Sequence, residues 1–374
     1  MSSQPASSAS PLPLPGVSLL VVALAVALSV LGLIVLLSAA QATHGGSFEL
    51  ARKQAIWLGL SLVAGFVAWR MPLDFWRWVT WPAAGLALLF SLAVLHPAIG
   101  SEINGARRWI VLGPVSFQVA ELLKLALVLV LAGYLGQNRR RRRSFWRGFC
   151  LPGGIIGLAG GLLILQPDFG TAALCGAVGG VLLFMAGVPW RYLIPAASLA
   201  LAAFSTLVYF NPVRLERITA FLDLEANKQD GAYQLWQGLV GFGVGGLSGV
   251  GLGNGGQQQY YLPEAHNDFI FAVIGEELGF FFTAGIALCY LLLFLGVLWK
   301  LREAPNLYQC LLVLGLTLFI VFQSLINMGV VTGLLPTKGM SLPFISYGGS
   351  NLLFLALFIG IILNAFRNWN APTL

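Results

Sequence analysis

The chain has 374 residues, 58% of them hydrophobic and only 9% charged, with a mean hydropathy of +0.84. Soluble domains carry about 25% charged residues, so this is an integral membrane protein, and its net charge of +7 reads as membrane topology rather than as a nucleic-acid footprint. Cys150, Cys175, Cys289 and Cys310 lie in or at the ends of apolar runs without CxxC spacing, which speaks against a disulfide framework or a zinc site.

Residues 1–16, "MSSQPASSASPLPLPG", lack a basic n-region and a cleavage site and read as a short disordered tail. A bilayer crossing needs about 20 apolar residues. Ten runs qualify: 17–38, 54–70, 78–95, 117–136, 151–166, 169–188, 191–210, 268–298, 308–331 and 350–366. They predict an all-α polytopic membrane protein over 17–366, with ten transmembrane helices, a long extracytoplasmic loop (211–267) between helices 7 and 8, and a C-terminal tail at 367–374. The fifth and sixth runs are glycine-rich and separated only by "QPDFGT", so one of them is expected to be broken or tilted.

With ten spans and a cytoplasmic N-terminus, the loop after the fourth run is cytoplasmic, and it carries Arg139 to Arg143 followed by Arg147. On this arrangement 12 of the 21 basic residues fall inside, whereas 12 of the 14 acidic residues lie in outward loops or within spans. The outer face is therefore where chemistry is expected.

Four outward segments set polar residues beside helix ends. In 104–124, "NGARRWIVLGPVSFQVAELLK", Arg107 and Arg108 sit outside, while Glu121 and Lys124 share one face of span four. That pair is open to two readings, a self-satisfied ion pair or an intramembrane functional group. Asp168 in "LQPDFGT" is either a turn residue or part of a site. The long loop holds Arg214, Glu216, Arg217 and Lys228 ahead of "GFGVGGLSGVGLGNGG", whose glycines suit close helix approach or a re-entrant turn. Gly251, Gly253 and Gly256 match GxGxxG, which has no force without a strand before it.

The loop runs on into "YYLPEAHNDFIFAVIGEELGF", 260–280. For a helix starting near Asp268, Glu276 is rotated about 80° and Glu277 about 180° from it, both about 12 Å deeper, so the three carboxylates cannot serve one centre. Asp268 meets the aqueous boundary, as a reactive group or as a first-turn residue complementing the helix dipole; Glu276 and Glu277 are expected to face other helices. The fourth segment, "GLLPTKGMSLPFISYGGSN", 333–351, holds Lys338 between two prolines, with Gly339, Gly348 and Gly349 able to bring backbone N–H groups to an anion. Lys338 is open to both an anion-binding and a solvated-loop reading. His44, His96 and His266 do not form a metal pattern, and no permanent metal site is expected.

These segments, "NGARRWIVLG", "FQVAELLK", "QPDFGT", "YLPEAHNDFIFAVIGEELGF" and "LLPTKGMSLPFISYGGSN", resemble the signature segments of the SEDS family (shape, elongation, division and sporulation), in its order and over residues 17 to 366. "PTKGM" is closer to the division-type branch than to the elongation-type branch. The sequence departs in Asn267 where Thr is common, in Asn351, and in "FQVAE" where "FQPSE" is usual, which is expected to alter how span four begins.

The resemblance implies a peptidoglycan glycosyltransferase that polymerises lipid II into β-1,4 glycan strands at the outer face of the bacterial cytoplasmic membrane, in division or elongation, with both termini cytoplasmic. It implies a class B penicillin-binding protein transpeptidase as partner, among other divisome or elongasome membrane proteins, and no nucleic acid. By its place in the motif, Asp268 is the candidate general base of an inverting displacement. Arg107, Arg108, Lys338, Arg52, Lys53, Ser346 and Gly348 are candidates for binding the pyrophosphate-linked substrate, joined by a Mg²⁺ or Mn²⁺ ion that arrives with it and by no permanent cofactor. Glu121, Lys124, Asp168, Glu276 and Glu277 are assigned to cavity shape and helix contacts. The competing readings are a lipid II flippase or transporter, and a scaffold that activates the transpeptidase without chemistry of its own.

Overall fold

The computed structural model describes residues 16–43, 49–103, 105–113, 115–137, 142, 144–256, 262 and 265–369. Nearly all of the expected N-terminal tail, the last five residues and most of the arginine run lie outside them. Among the described residues the helices are α1 (Gly16–Thr43), α2 (Glu49–Arg70), α3 (Leu73–Ala93), α4 (Val119–Gln137), α5 (Leu151–Leu165, entered by a π-helical turn, Phe145–Cys150), α6 (Phe169–Met185), α7 (Trp190–Tyr209), α8 (Pro212–Leu222), α9 (Tyr233–Gly245), α10 (Ile270–Leu301), α11 (Leu307–Val331) and α12 (Gly349–Trp369).

Eight of these are long and apolar enough to cross a bilayer: α1, α2, α4, α5 with its π turn, α7, α10, α11 and α12. The expected ten is not reached on that measure. Helix α6 has only 17 residues, and α3 carries Asp74, Arg77 and Pro82 in its first half. The fold is a polytopic helical membrane protein. Helices α4, α11 and α12 form its centre, with 78%, 72% and 72% of their apolar windows enclosed by the rest of the chain, whereas α7 has 6% and stands at the periphery.

A feature the all-α expectation lacked is a three-stranded antiparallel sheet between α3 and α4, β1 (Gly100–Ile103), β2 (Ala106–Leu112) and β3 (Val115–Gln118), in the order β1-β2-β3. Its turns pass through Gly105 and Gly113, whose φ values of +73° and +61° favour glycine. Strand β3 runs directly into α4, which starts at Val119; Phe117 and Gln118 of "FQVAE" are therefore strand rather than helix.

The long loop contains α8 and α9. Helix α9 runs beside the first half of α10: a β-carbon on Gly238 would lie 3.1 Å from the Phe269 ring, and one on Gly245 would fall 2.0 Å from the Gly275 carbonyl oxygen. The glycine-rich stretch after α9 then pairs with α10 where that helix breaks at Gly279 (φ +80°). Val250 N–H donates to Glu276 O at 3.0 Å, Gly251 N–H to Glu277 O at 2.9 Å, and Phe280 N–H to Gly246 O at 2.9 Å. Of the two anticipated uses of glycine, close helix approach is the one seen here.

Candidate active site at one end of the bundle

Asp268 lies in a turn just before α10, partly exposed, and two polar side chains tie that turn to the loop between α11 and α12. Asn327 of α11 donates through Nδ2 to Asp268 O at 2.8 Å and to Met340 O at 2.6 Å. Ser346 Oγ donates to Asn267 O at 2.7 Å and accepts from Leu342 N–H at 2.7 Å, and Tyr347 N–H donates to His266 O at 3.0 Å. Buried backbone groups of two loops are thereby satisfied by each other. The result is one unit in which Asp268 Oδ2 lies only 2.5 Å from where Gly339 would carry a β-carbon.

The residue before Gly339 reaches the other way. Lys338 stretches across the first turn of α6, its Nζ 0.4 Å from the position of a β-carbon on Gly170. That nitrogen is sheltered from solvent and has no hydrogen-bond partner among the described residues. Burial pushes the Lys338 amine down to about 8, opposed by the charges of Asp168 and Asp268 and assisted by that of Arg108. Asp168 caps α6, Oδ1 accepting from Thr171 N–H at 3.2 Å and Oδ2 from Thr171 Oγ1 at 2.8 Å, while Arg108 Nη1 approaches its Oδ2 at 3.6 Å. Arg214 of α8 lies over the ring of Phe169, 3.0 Å from its centroid. Asp168 is thus the turn residue that starts α6, and it lies beside Arg108.

Below this mouth, Lys124 pairs with Glu121 at 2.8 Å and donates to Gln323 Oε1 at 3.0 Å; Gln323 Nε2 donates to Ser341 O at 3.0 Å. The chain of contacts joins α4, α11 and the loop of Lys338, with Glu121 3% and Lys124 2% exposed. From α2, Gln54 holds the far end of the same loop, Nε2 donating to Ser346 O at 3.4 Å and Oε1 accepting from Gly348 N–H at 3.3 Å.

Residues 18–370 match the family model for the FtsW, RodA and SpoVE cell cycle proteins. The chain belongs to the FtsW/RodA/SpoVE family. It is 40% identical to the Coxiella burnetii "Probable peptidoglycan glycosyltransferase FtsW" over 89% of this chain and 91% of that one, and 39% identical to the Hahella chejuensis protein of the same name over 91% and 87%. A chain solved under the description "Structural coordination of polymerization and crosslinking by a peptidoglycan synthase complex" superposes with a TM-score of 0.80 at 31% identity, covering 94% of this chain and 97% of that one. The Thermus thermophilus rod shape determining protein RodA superposes at 0.71 with 31% identity and the same coverage.

Within this FtsW/RodA/SpoVE fold, the sequence-derived candidates separate into three groups. Asp268, Lys338, Arg108 and Asp168 are brought to one mouth. Ser346 and Gly348 are engaged in holding the loop: Ser346 is 6% exposed with its hydroxyl used twice. Arg107 and Lys53 are turned to solvent and paired, Arg107 with Glu102 at 3.0 Å and Lys53 with Glu49 at 2.7 Å. Alternation along β2 explains the first, since successive strand residues face opposite sides. Arg52 is exposed beside Lys53.

Glu277 reaches another helix as expected, meeting Ser38 of α1, and both carboxylates have a further task that the expectation lacked. Both are buried, at 2% and 0% exposure, and both hold the glycine-rich stretch: Glu276 Oε1 accepts from Gly256 N–H at 2.8 Å, and Glu277 Oε1 accepts from Gly253 N–H at 2.9 Å and Ser38 Oγ at 2.6 Å. Gln54, Asn327, Gln323, Gly170 and Arg214 belong to the architecture of the site and were not among the sequence candidates. For Asn327 and Gln323 the signal is an amide side chain inside an otherwise apolar run, and for Gln54 an amide at the start of one.

Proposed function

We propose that this chain polymerises lipid II into β-1,4 peptidoglycan strands at the outer face of the cytoplasmic membrane, with Asp268 as general base. The observation that carries the reading is that a carboxylate and a sheltered ammonium, Asp268 and Lys338, are held on either side of Gly339 at one mouth that Arg108 also reaches. In an inverting displacement the acceptor 4-hydroxyl forms the new C–O bond at the donor anomeric carbon as the bond to undecaprenyl pyrophosphate breaks. Asp268 takes the hydroxyl proton, and Lys338 and Arg108 meet the charge growing on the departing pyrophosphate in a setting where few waters compete. Asp168 orients Arg108, and the Glu121–Lys124–Gln323 chain keeps the Lys338 loop in place.

Among the described residues no three His, Cys, Asp or Glu side chains cluster as a metal site; a Mg²⁺ or Mn²⁺ ion would come bound to the pyrophosphate, and no step is assigned to it. The arginine run after α4 and the placement of the site at the opposite end support cytoplasmic termini and an outward mouth. The similarity to a chain of a peptidoglycan synthase complex supports a class B penicillin-binding protein transpeptidase as partner, and the FtsW relatives support a role in division over elongation.

The test is glycan-strand synthesis from labelled lipid II by the purified protein with its cognate transpeptidase, whose own active site is blocked. Polymer from the wild type and none from folded Asp268→Ala is expected. Equal polymer from both would remove Asp268 from the chemistry. No polymer from either, with lipid II movement or transpeptidase activation intact, would overturn the reading in favour of transport or scaffolding.

A further inference from the structure

The segment between α8 and α10 holds a pocket that the reaction as drawn leaves without a task. It is an open, solvent-facing depression of about 450 Å³ lined by Lys228, Gln229, Tyr233, Trp236 and Gln237. The size is that of a small-ligand site, yet none of the lining residues is aliphatic, so the pocket is not built for a lipid tail. Tyr233, Trp236 and Gln237 stand at i, i+3 and i+4 of α9 and therefore share one face. All three are half-buried, which limits their motion, while Lys228 and Gln229 reach in from the preceding turn. The Lys228 ammonium lies 5.6 Å from the centre of the Trp236 ring, a cation–π distance.

An indole face beside two primary amides and one ammonium suits a β-linked N-acetyl hexosamine. The axial C–H bonds of the pyranose pack on the ring, and Gln229 and Gln237 each offer both a donor and an acceptor to the acetamido group and hydroxyls. The ammonium faces the carboxylate of a lactyl-peptide. A pyrophosphate, by contrast, would call for more than one cation. Gly238 abuts the ring of Phe269, the residue after Asp268, so α9 lies between the reacting centre and the pocket, whose face is turned away by about one helix width of 10–12 Å.

We infer that this pocket is a saccharide subsite that grips the already polymerised part of the glycan strand, a helix width away from the reacting end. The inference rests on the polymerase reading above and adds a site to it. Its test is binding of two soluble probes to the detergent-purified full chain, followed by saturation-transfer NMR and calorimetry: an uncross-linked peptidoglycan tetrasaccharide bearing its peptides, and chitotetraose, which lacks them. The wild type should bind both. Trp236→Ala should weaken both about tenfold, as loss of one stacked face does, with Trp236→Tyr recovering most of the loss. Lys228→Ala should weaken only the peptide-bearing probe, and strands made by Trp236→Ala should be several-fold shorter.

No binding by the wild type, or equal binding by wild type and Trp236→Ala, overturns the subsite. If Trp236→Ala does not fold, Lys228→Ala decides: unchanged binding of the peptide-bearing probe overturns it. A wild type that makes polymer, with variants indistinguishable from it, sinks the subsite and leaves the polymerase reading standing. A wild type that makes none but loses probe binding with Trp236→Ala does the reverse.

Discussion

The amine of Lys338 lies in the notch left by the missing side chain of Gly170, 0.4 Å from where a β-carbon would be. Because the colliding atom is the free end of a flexible side chain, Gly170→Ala forces a change of Lys338 rotamer and not of the α6 backbone. The variant should keep a wild-type unfolding midpoint while polymer synthesis falls about 100-fold, the scale of a misplaced catalytic group. Wild-type synthesis by Gly170→Ala would show that the ammonium is not needed at that spot.

Stability and activity should part company at Lys338 itself. With the folded-state amine at about 8 and the free amine near 10.4, the unfolded chain binds more protons between those values, so stability rises with pH across that window. Lys338→Met should flatten that rise and unfold at a higher temperature than the wild type at pH 7, while losing most of its synthesis. For the wild type, the alkaline limb of kcat/KM should fall near pH 8, and that of kcat should lie higher, because bound pyrophosphate favours the ammonium. Titration of activity and thermal midpoints from pH 6 to 10 checks both.

Glu121 and Lys124 are worth most as a pair. Glu121→Gln leaves a buried ammonium without its counter-charge and should destabilise by about 3–5 kcal/mol. The double change Glu121→Leu with Lys124→Met removes both charges and should recover much of that loss. Thermal midpoints of the three proteins in one detergent decide; an unchanged midpoint for Glu121→Gln would mean the pair does not hold the bundle.

The ten apolar runs and the four charged segments stand out in the sequence because hydropathy and charge report directly on immersion. Residues whose role depends on a distant partner do not. Gln54 and Ser346 meet across 292 positions, and Asn327 looks like any amide in an apolar helix until Asp268 and Met340 turn their carbonyls to it. Glu276 and Glu277 are legible as buried carboxylates, but each accepts from a backbone N–H group of a glycine, which has no side-chain signature. The sheet was hidden for another reason: β1 and β3 have four residues each, too few for alternation to stand out from a loop.

Gly279→Ala should be damaging for a different reason from Gly170→Ala. Its φ of +80° disfavours any side chain, and a β-carbon would meet backbone atoms, Gly249 N at 2.4 Å and Leu247 O at 2.6 Å. The expected outcome is a loss of more than about 2 kcal/mol, seen as low yield and a depressed melting point. A well-folded Gly279→Ala would mean that the break in α10 relaxes more readily than its close contacts suggest.

The pairing of the glycine-rich stretch with the broken part of α10 also sets an order of events during biogenesis. Neither strand of that contact can rest in hydrocarbon alone, since each would expose peptide groups that lipid cannot satisfy. The glycine-rich stretch after α9 can therefore take its place only once the first three turns of α10 have been made. The backbone groups on the two sides of that contact are then satisfied together rather than one after the other.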